Sequence, residues 1–232
     1  MSTFKLKTLA ITAMLIDHIG AALIPVEAPL YYLFRSVGRI AFPIFAFLIV
    51  EGYCHTSNVK KYMARLAVFA ALSEIPFNLF HSGKVFYLGA QNVFITLLAG
   101  LAAIHIIKKY RETKLHIAVL GSLLLIFALD YLRADCGSFG LIMILLYYAL
   151  RSDRLTAAVA VGAFNIVLAG LSVFGAGDTS GGWDFTYAIQ AFAAVSILPI
   201  YLYNGEKGLS AKYFFYLFYP AHQLIIYAVS RL

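Results

Sequence analysis

The sequence predicts an all-α, polytopic integral membrane protein with about nine transmembrane helices and short loops. Hydrophobic residues make up 62% of the 232 residues, charged residues make up only 12%, and the mean hydropathy is +0.84. A soluble domain typically contains about 25% charged residues. The length accommodates roughly nine helices of about 20 residues and leaves no loop long enough for a soluble domain. We therefore expect a single transmembrane domain over residues 1–232.

Apolar runs separated by turn residues place the individual helices. The turns between the runs are marked by Pro, Gly, Asn and Ser, for example at Pro25, Ser57-Asn58 and Asn204-Gly205. Pro199 falls near the end of the eighth run, so that run could consist of two pieces. The predicted spans are 6–24, 30–53, 62–80, 87–107, 115–132, 136–151, 155–175, 184–203 and 211–230.

Lysine and arginine residues lie mostly on one predicted side of the membrane. Thirteen fall in the N-terminus, in the even-numbered loops or at the adjoining helix ends, against three on the other side, Lys84, Arg133 and Arg231. Because cytoplasmic segments carry the excess positive charge, this bias predicts that the N-terminus lies in the cytoplasm and the C-terminus on the opposite side of the membrane. The same rule explains the net charge of +7, so we expect membrane lipid rather than nucleic acid as a partner.

Two ionisable residues, Asp17 and His18, stand side by side inside the first span. A charged side chain at the centre of a membrane helix costs about 2.5–3.5 kcal/mol even on lenient insertion scales, so such residues usually have a function. The alternative is a buried ion pair that only fixes helix packing. Polar residues from other helices at the same depth would favour a functional site.

Arg35 and Arg39 are four residues apart in the second span and share a helix face. Two guanidiniums in hydrocarbon need carboxylate partners or an anionic ligand, and Asp17 and Glu74 are available as partners. Pro43, which follows Arg39, is expected to bend the helix or to release backbone carbonyls beside these side chains. A purely structural network of arginines and carboxylates is the alternative.

The depths of four ionisable residues coincide. A helix rises about 1.5 Å per residue, which places His18 and Glu74 about 18 Å above the inner boundary of the membrane. Arg39 lies about 16 Å and His222 about 15 Å above it on the same count. These residues come from four different spans, so we expect them to form one cluster near the middle of the bilayer.

A basic patch is predicted where the third span meets the inner surface. Lys60, Lys61 and Arg65 lie there, and Glu51 ends the preceding span. The patch could bind an anionic cytosolic ligand, or it could contact only lipid head groups. No pair of His or Cys residues has zinc-like spacing, so no metal is predicted.

The residue types alone leave two kinds of chemistry open. A histidine with a nearby carboxylate can take a proton from a nucleophile, and arginines at the same depth can stabilise the oxyanion of an acyl transfer. A buried set of Asp, His, Glu and Arg side chains serves a proton-coupled transporter equally well.

A resemblance to a known family bears on this choice. The run Arg39-Ile-Ala-Phe-Pro43-Ile-Phe-Ala-Phe-Leu-Ile-Val-Glu51-Gly-Tyr-Cys-His-Thr56 resembles the core signature of the TraX family, the F-pilin acetylation proteins of conjugal transfer and their bacterial relatives. Residues 100–180 match mainly in hydropathy. Further matches, which extend over nearly the whole chain, are Asp17-His18, Lys61-Tyr62, Arg65-Leu66, Ser73-Glu74-Ile75-Pro76-Phe77, Asn92-Val93, Tyr203-Asn204-Gly205, Gly208, Phe215-Tyr216 and Tyr219-Pro220-x-His222.

The resemblance implies a membrane-embedded acyltransferase, similar to the broader group of transmembrane acyltransferases. Cytosolic acetyl-CoA would donate the acyl group, and an amine or hydroxyl at or across the membrane would accept it. The family's name-giving acceptor is the N-terminus of a pilin. A proton-coupled small-molecule transporter and a non-catalytic membrane subunit of a pilus or envelope assembly system are the alternatives.

The resemblance also suggests roles for individual residues. His18 would be the general base or a transient acyl carrier, oriented by Asp17 or Glu74. Arg39, with Arg35, would polarise the thioester carbonyl or hold a phosphate. The residues expected to bind the CoA end or line the path of the substrates are Glu51, Lys60, Lys61, Tyr62, Arg65, Ser73, Asn92, Tyr219 and His222.

Overall fold

The computed structural model describes residues 1–175 and 188–232, and every regular element within them is helical, which confirms the predicted all-helical class. In chain order these elements are α1 (Thr3–Leu23), α2 (Pro29–Gly38), α3 (Ala41–His55), α4 (Val59–Ser82), α5 (Val93–Tyr110), α6 (Leu115–Tyr131), α7 (Gly137–Ala149), α8 (Arg154–Gly175), the 3-10 helix η1 (Ile189–Ser196), α9 (Ile197–Tyr201) and α10 (Lys212–Val229).

Several of these helices have the length and composition of membrane spans. Five segments of the described chain qualify, namely Thr3–Leu23, Pro29–His55, Val59–Ser82, Val93–Tyr110 and Arg154–Val173. Three shorter apolar helices are Leu115–Tyr131, Gly137–Ala149 and Ile189–Tyr201. The chain is thus a helical membrane protein, while the count of nine spans and the position of the N-terminus stay predictions.

Two predicted spans have different bounds in the structure. The run 87–107 was expected to be helical throughout, but α5 begins only at Val93. Gln91 pairs with the distant segment around Ala134, since the Gln91 amide donates to Arg133 O at 3.2 Å and Gln91 O accepts from the Asp135 amide at 2.8 Å. The eighth run, 184–203, begins outside the described residues, and its described part divides into η1 and α9.

The contacts divide the chain into two compact units. The first unit comprises Met1–Phe45, Leu150–Phe215 and Ala228–Leu232, and the second comprises Ala46–Ala149 and Tyr216–Tyr227. The prediction of one domain over residues 1–232 stays a prediction.

In the first unit, the N-terminal residues are paired with the loop that follows α9. Thr3 N donates to Glu206 O at 2.7 Å and Phe4 N donates to Lys207 O at 3.1 Å. Gly208 in this loop has φ +68°, and a Cβ there would approach the Ser2 side chain to 2.6 Å. Both the conformation and the close approach require glycine. These contacts fix the position at which α1 begins.

Helix α8 of the first unit begins with a side-chain cap. Asp153 precedes the helix, its carboxylate accepts from Leu155 N at 3.1 Å, and the Thr156 hydroxyl also donates to it. Asp is a preferred residue at this position because it satisfies amides that have no partner within the helix. The hydrogen bond from Thr156, together with those from the backbone, holds the pKa of Asp153 below its usual value.

In the second unit, α5 packs against α4, α6 and α7. Ala99, Ala103 and Leu141 belong to the apolar core at this junction. Gly100 allows the close approach, since a Cβ there would overlap the Ile144 side chain. Asn58 caps the start of α4, and Gly83, with φ +70° in the left-handed region, ends it.

Candidate functional site

The first unit brings Asp17, Arg35 and Arg39 together. Arg35 Nη1 lies 2.5 Å from Asp17 Oδ2, and Arg39 Nη2 lies 3.3 Å from Asp17 Oδ1. Arg39 Nε also donates to Arg35 O at 3.2 Å, which fixes the second guanidinium relative to the first. Asp17 thus supplies the carboxylate that the two arginines were expected to need. Two guanidiniums share one carboxylate, so these three side chains carry a formal charge of +1.

A break between α2 and α3 positions Arg39. Helix α2 ends at Gly38 and α3 begins at Ala41, so Arg39 stands at the end of α2 with its amide bonded to Ser36 O and Val37 O. Pro43 lies in the first turn of α3, where an N–H has no acceptor within the helix, so proline is tolerated there. Because Pro43 has no N–H, it cannot form the hydrogen bond to the Arg39 carbonyl that would join α2 and α3 into one continuous helix. The predicted bend beside Arg39 is therefore a break between two helices.

Gly38 makes room for the Asp17 carboxyl group and was not identified from the sequence. A Cβ built on Gly38 would overlap Cβ, Cγ and Oδ1 of Asp17. One signal was available, since a glycine directly before Arg39 on a membrane helix permits another helix to approach closely. Gly20 on α1 gives a second close approach, because a Cβ there would lie 2.6 Å from Phe34 Cβ.

Replacing Gly38 with Ala is expected to displace the Asp17 carboxylate and to lower the free energy of unfolding by about 1–3 kcal/mol, as overpacking does in a dense interior. Thermal unfolding in detergent measures this loss. Gly170→Ala is the matched control, because Gly170 also lies in a helix and a Cβ there meets nothing within 4 Å among the described residues. Equal losses in the two variants would contradict the assigned contact.

His18 lies directly after Asp17 on α1 and is half-buried. Successive residues on a helix point about 100° apart, so the two side chains do not share a face. Both Asp17 oxygens face arginines. The roles predicted for His18, and its orientation by Asp17 or Glu74, stay predictions.

The second unit contains a polar group centred on Asn92, the N-cap residue of α5. Asn92 is fully buried, and its Nδ2 donates to Glu74 Oε2 at 2.7 Å and to Ala70 O at 2.9 Å. Its Oδ1 accepts from Phe94 N at 3.2 Å. The Asn92 side chain therefore caps the start of α5 and also holds the Glu74 carboxylate of α4.

Replacing Asn92 with Ala is expected to lower the free energy of unfolding by about 2–3 kcal/mol, because the cap is lost and the Ala70 carbonyl and the Glu74 carboxylate lose their donor. Chemical denaturation in mixed micelles measures the change. Asn58→Ala is the control, since Asn58 only caps α4 by accepting from Lys61 N at 2.8 Å. That variant should lose about 1 kcal/mol. A loss at Asn92 no larger than at Asn58 would show that the bond to Glu74 adds nothing.

Further polar side chains of the second unit lie close to aromatic rings. Tyr219 is buried with its ring centroid 5.2 Å from Phe94 and 5.8 Å from His222. His222 Nδ1 donates to Phe218 O at 2.8 Å. Ser73 Oγ is buried and has no hydrogen-bond partner among the described residues.

The predicted basic patch also belongs to the second unit. Lys60 and Lys61 are exposed and Glu51 is half-buried. Arg65 Cζ lies 5.3 Å from the ring centroid of Tyr62, which is itself buried against Gly52. Arg65 Nε is buried without a hydrogen-bond partner in the described part of the chain.

The candidate residues therefore divide between the units. Asp17, His18, Arg35 and Arg39 belong to the first, and the other ten belong to the second. The prediction that residues of four spans form one cluster involves both units and stays a prediction. Among the residues that the structure describes, no group of three or more His, Cys, Asp or Glu side chains could hold a metal ion.

Comparison with known proteins identifies the family to which the chain is similar. The family model described as "TraX protein" matches residues 2–230. The "Probable fimbrial assembly protein FimC, serogroup H1" of Dichelobacter nodosus is 31% identical to this chain over an alignment of 238 positions. The alignment covers 95% of this chain and 92% of that protein. No solved structure matches the chain. The family match extends over nearly every residue and confirms the resemblance seen in the sequence: this chain belongs to the TraX family.

Proposed function

We propose that this chain is a membrane acyltransferase that moves an acetyl group from acetyl-CoA to an amine or hydroxyl acceptor. The observation that carries the proposal is the first-unit cluster, in which Arg35 and Arg39 share the single carboxylate of Asp17 beside His18. An excess positive charge within candidate membrane spans calls for an anion or a developing oxyanion. The tetrahedral intermediate of an acyl transfer carries a negative charge on its oxygen, which the two arginines could stabilise.

The proposed reaction assigns the proton to His18. The acceptor nitrogen or oxygen attacks the thioester carbonyl carbon and loses its proton to His18, while Arg39 and Arg35 stabilise the oxyanion. The C–S bond then breaks, and the CoA thiolate takes the proton from the imidazolium. Asp17 holds the two guanidiniums in place. A transient acyl-imidazole on His18 is the alternative course.

The second unit supplies the other residues of the proposal. Lys60, Lys61 and Arg65 would bind the CoA phosphates, with Tyr62 and Glu51 beside them. The Nε of Arg65, which has no hydrogen-bond partner among the described residues, supports this assignment. Ser73, Asn92, Tyr219 and His222 would line the path of a substrate. The buried hydroxyl of Ser73, which has no hydrogen-bond partner among the described residues, supports this role for Ser73, because buried polar groups usually have a partner. Glu74 is held by Asn92 within the second unit, and its expected role toward His18 stays a prediction.

Two findings support a pilus component as the acceptor. The chain belongs to the TraX family, and its relative from Dichelobacter nodosus is named as a fimbrial assembly protein. We place the chain in the bacterial cytoplasmic membrane with the N-terminus inside, where acetyl-CoA is available. The name of the relative also favours a second candidate function, a non-catalytic membrane subunit of pilus assembly.

Thermal unfolding of the purified chain with acetyl-CoA tests the proposal. A ligand at a hundred times its dissociation constant stabilises a protein by about 2.7 kcal/mol, so the melting temperature should rise with acetyl-CoA concentration. Arg65→Gln should lose most of this rise, whereas Arg111→Gln, in an exposed pair with Glu112, should keep it. A non-catalytic subunit predicts no rise, and a transporter predicts proton-coupled flux in proteoliposomes without binding of CoA.

A further inference from the structure

The loop between α4 and α5 exposes two large apolar side chains. Phe86 is 84% exposed and Leu88 is 91% exposed, although neither belongs to a helix. Among the large hydrophobic residues that the structure describes, only the terminal Leu232 is more exposed. Apolar surface of this kind is unfavourable in water, so a partner or a lipid surface is expected to cover it.

Several contacts hold the loop in this conformation. Asn78 Nδ2 donates to Val85 O at 3.3 Å, which ties the loop to α4. The Tyr87 ring packs against α4, with its centroid 5.9 Å from that of His81, which in turn stacks on Phe77 at 5.4 Å. The absence of a Cβ on Gly89 leaves room for the Tyr87 ring, whose hydroxyl would overlap such an atom. Tyr87 thus contacts α4, whereas its two neighbours, Phe86 and Leu88, stay exposed.

The position of the loop identifies what covers it. Its ends are the last residue of the candidate span Val59–Ser82 and the first of Val93–Tyr110, so the loop lies at the surface of the membrane. Lys84 is exposed two residues before Phe86. Aromatic and aliphatic side chains at this level enter the boundary between head groups and acyl chains, while a lysine stays with the phosphates.

We propose that the α4–α5 loop is a membrane-interface anchor, in which Phe86 and Leu88 insert into the lipid and Lys84 contacts the head groups. The anchor has a structural consequence. The loop leads directly into Asn92, which caps α5 and holds Glu74 on α4. Insertion of the loop into the bilayer therefore fixes the depth of the Asn92–Glu74 pair. The proposal holds whether or not the chain is an acyltransferase.

Tryptophan fluorescence in vesicles tests the anchor. The single tryptophan of the chain, Trp183, is replaced with Phe, and Phe86→Trp or Leu88→Trp then serves as the reporter. In vesicles of phosphatidylcholine and phosphatidylglycerol, both reporters should emit at shorter wavelength than a water-exposed tryptophan. Brominated acyl chains should quench them several-fold more than iodide does.

Glu112→Trp is the matched control, because Glu112 has an 81% exposed side chain between α5 and α6. Its quenching pattern should be the reverse, strong with iodide and weak with brominated chains. If Phe86→Trp and Leu88→Trp behave like this control, the loop faces water and the proposal is overturned. The apolar pair would then be available to a protein partner instead. Circular dichroism checks that each reporter variant keeps its helical content.

Discussion

Replacing His18 with Ala is expected to slow acetyl-CoA turnover by the purified chain by about a hundredfold or more, the usual contribution of a general base. The physical reason is that an amine or hydroxyl acceptor must lose its proton as it attacks the thioester. No other histidine of the first unit is available, since the remaining five belong to the second unit. Release of CoA thiol, followed with a thiol reagent, measures the rate.

His116→Ala is the control for this substitution. His116 is exposed near the start of α6, so its loss should leave the rate of CoA release unchanged. The His18→Ala variant should also keep the stabilisation by acetyl-CoA, because a base acts after binding. Wild-type turnover in the His18→Ala variant would remove His18 from the proposed mechanism.

Replacing Asp17 with Asn is expected to lower the free energy of unfolding by roughly 3 kcal/mol, the low end of the cost of leaving a buried ionic partner unpaired, because the Arg35 and Arg39 side chains are 22% and 25% exposed. Asn preserves the shape of the side chain but leaves Arg35 and Arg39 with a formal charge of +2 in candidate spans. For a chain of this size the melting temperature should fall by about 10 °C, since each kcal/mol corresponds to roughly 2–4 °C. Thermal unfolding in detergent measures the shift.

Arg39→Gln separates charge balance from packing. This variant keeps the Arg35–Asp17 pair and leaves those side chains neutral overall, so it should lose only about 1 kcal/mol. The double variant Asp17→Asn with Arg39→Gln returns the formal charge to +1 and should be more stable than Asp17→Asn alone. Asp153→Asn, at an exposed cap where Asn serves as well as Asp, is the control. Equal stability of Asp17→Asn and the wild type would show that the charge of Asp17 is not needed.

Local sequence patterns were sufficient to predict that the two arginines need a carboxylate partner, with Asp17 and Glu74 as the candidates. Asp17, Arg35 and Arg39 are costly in an apolar run, and the four-residue spacing of the arginines follows from the helical repeat. Pro43 signalled the break after α2 for the same local reason, because it lacks an N–H. The structure pairs the arginines with Asp17 rather than with Glu74, whose partner in its own unit is Asn92.

Features that depend on distant contacts could not be predicted in the same way. Tyr87 and Leu88 are apolar enough to be taken as the start of a span, yet Gln91 pairs with the segment around Ala134 and α5 begins at Val93. The contact of Gly38 with Asp17 depends on how closely α1 and α2 approach. Hydropathy carries no information on either contact, because both join residues far apart in the chain.

Formation of an acetyl product from acetyl-CoA tests the central claim most directly. The purified chain, reconstituted in liposomes, is given acetyl-CoA with a labelled acetyl group, and ethanolamine serves as a simple acceptor with both an amine and a hydroxyl. We expect labelled acetylethanolamine together with an equal amount of CoA, both in excess over protein-free liposomes, and loss of this excess in the His18→Ala variant. A reconstituted wild-type chain that forms neither product above the protein-free level, while keeping its thermal stability, would contradict the proposed activity and favour a non-catalytic role in pilus assembly.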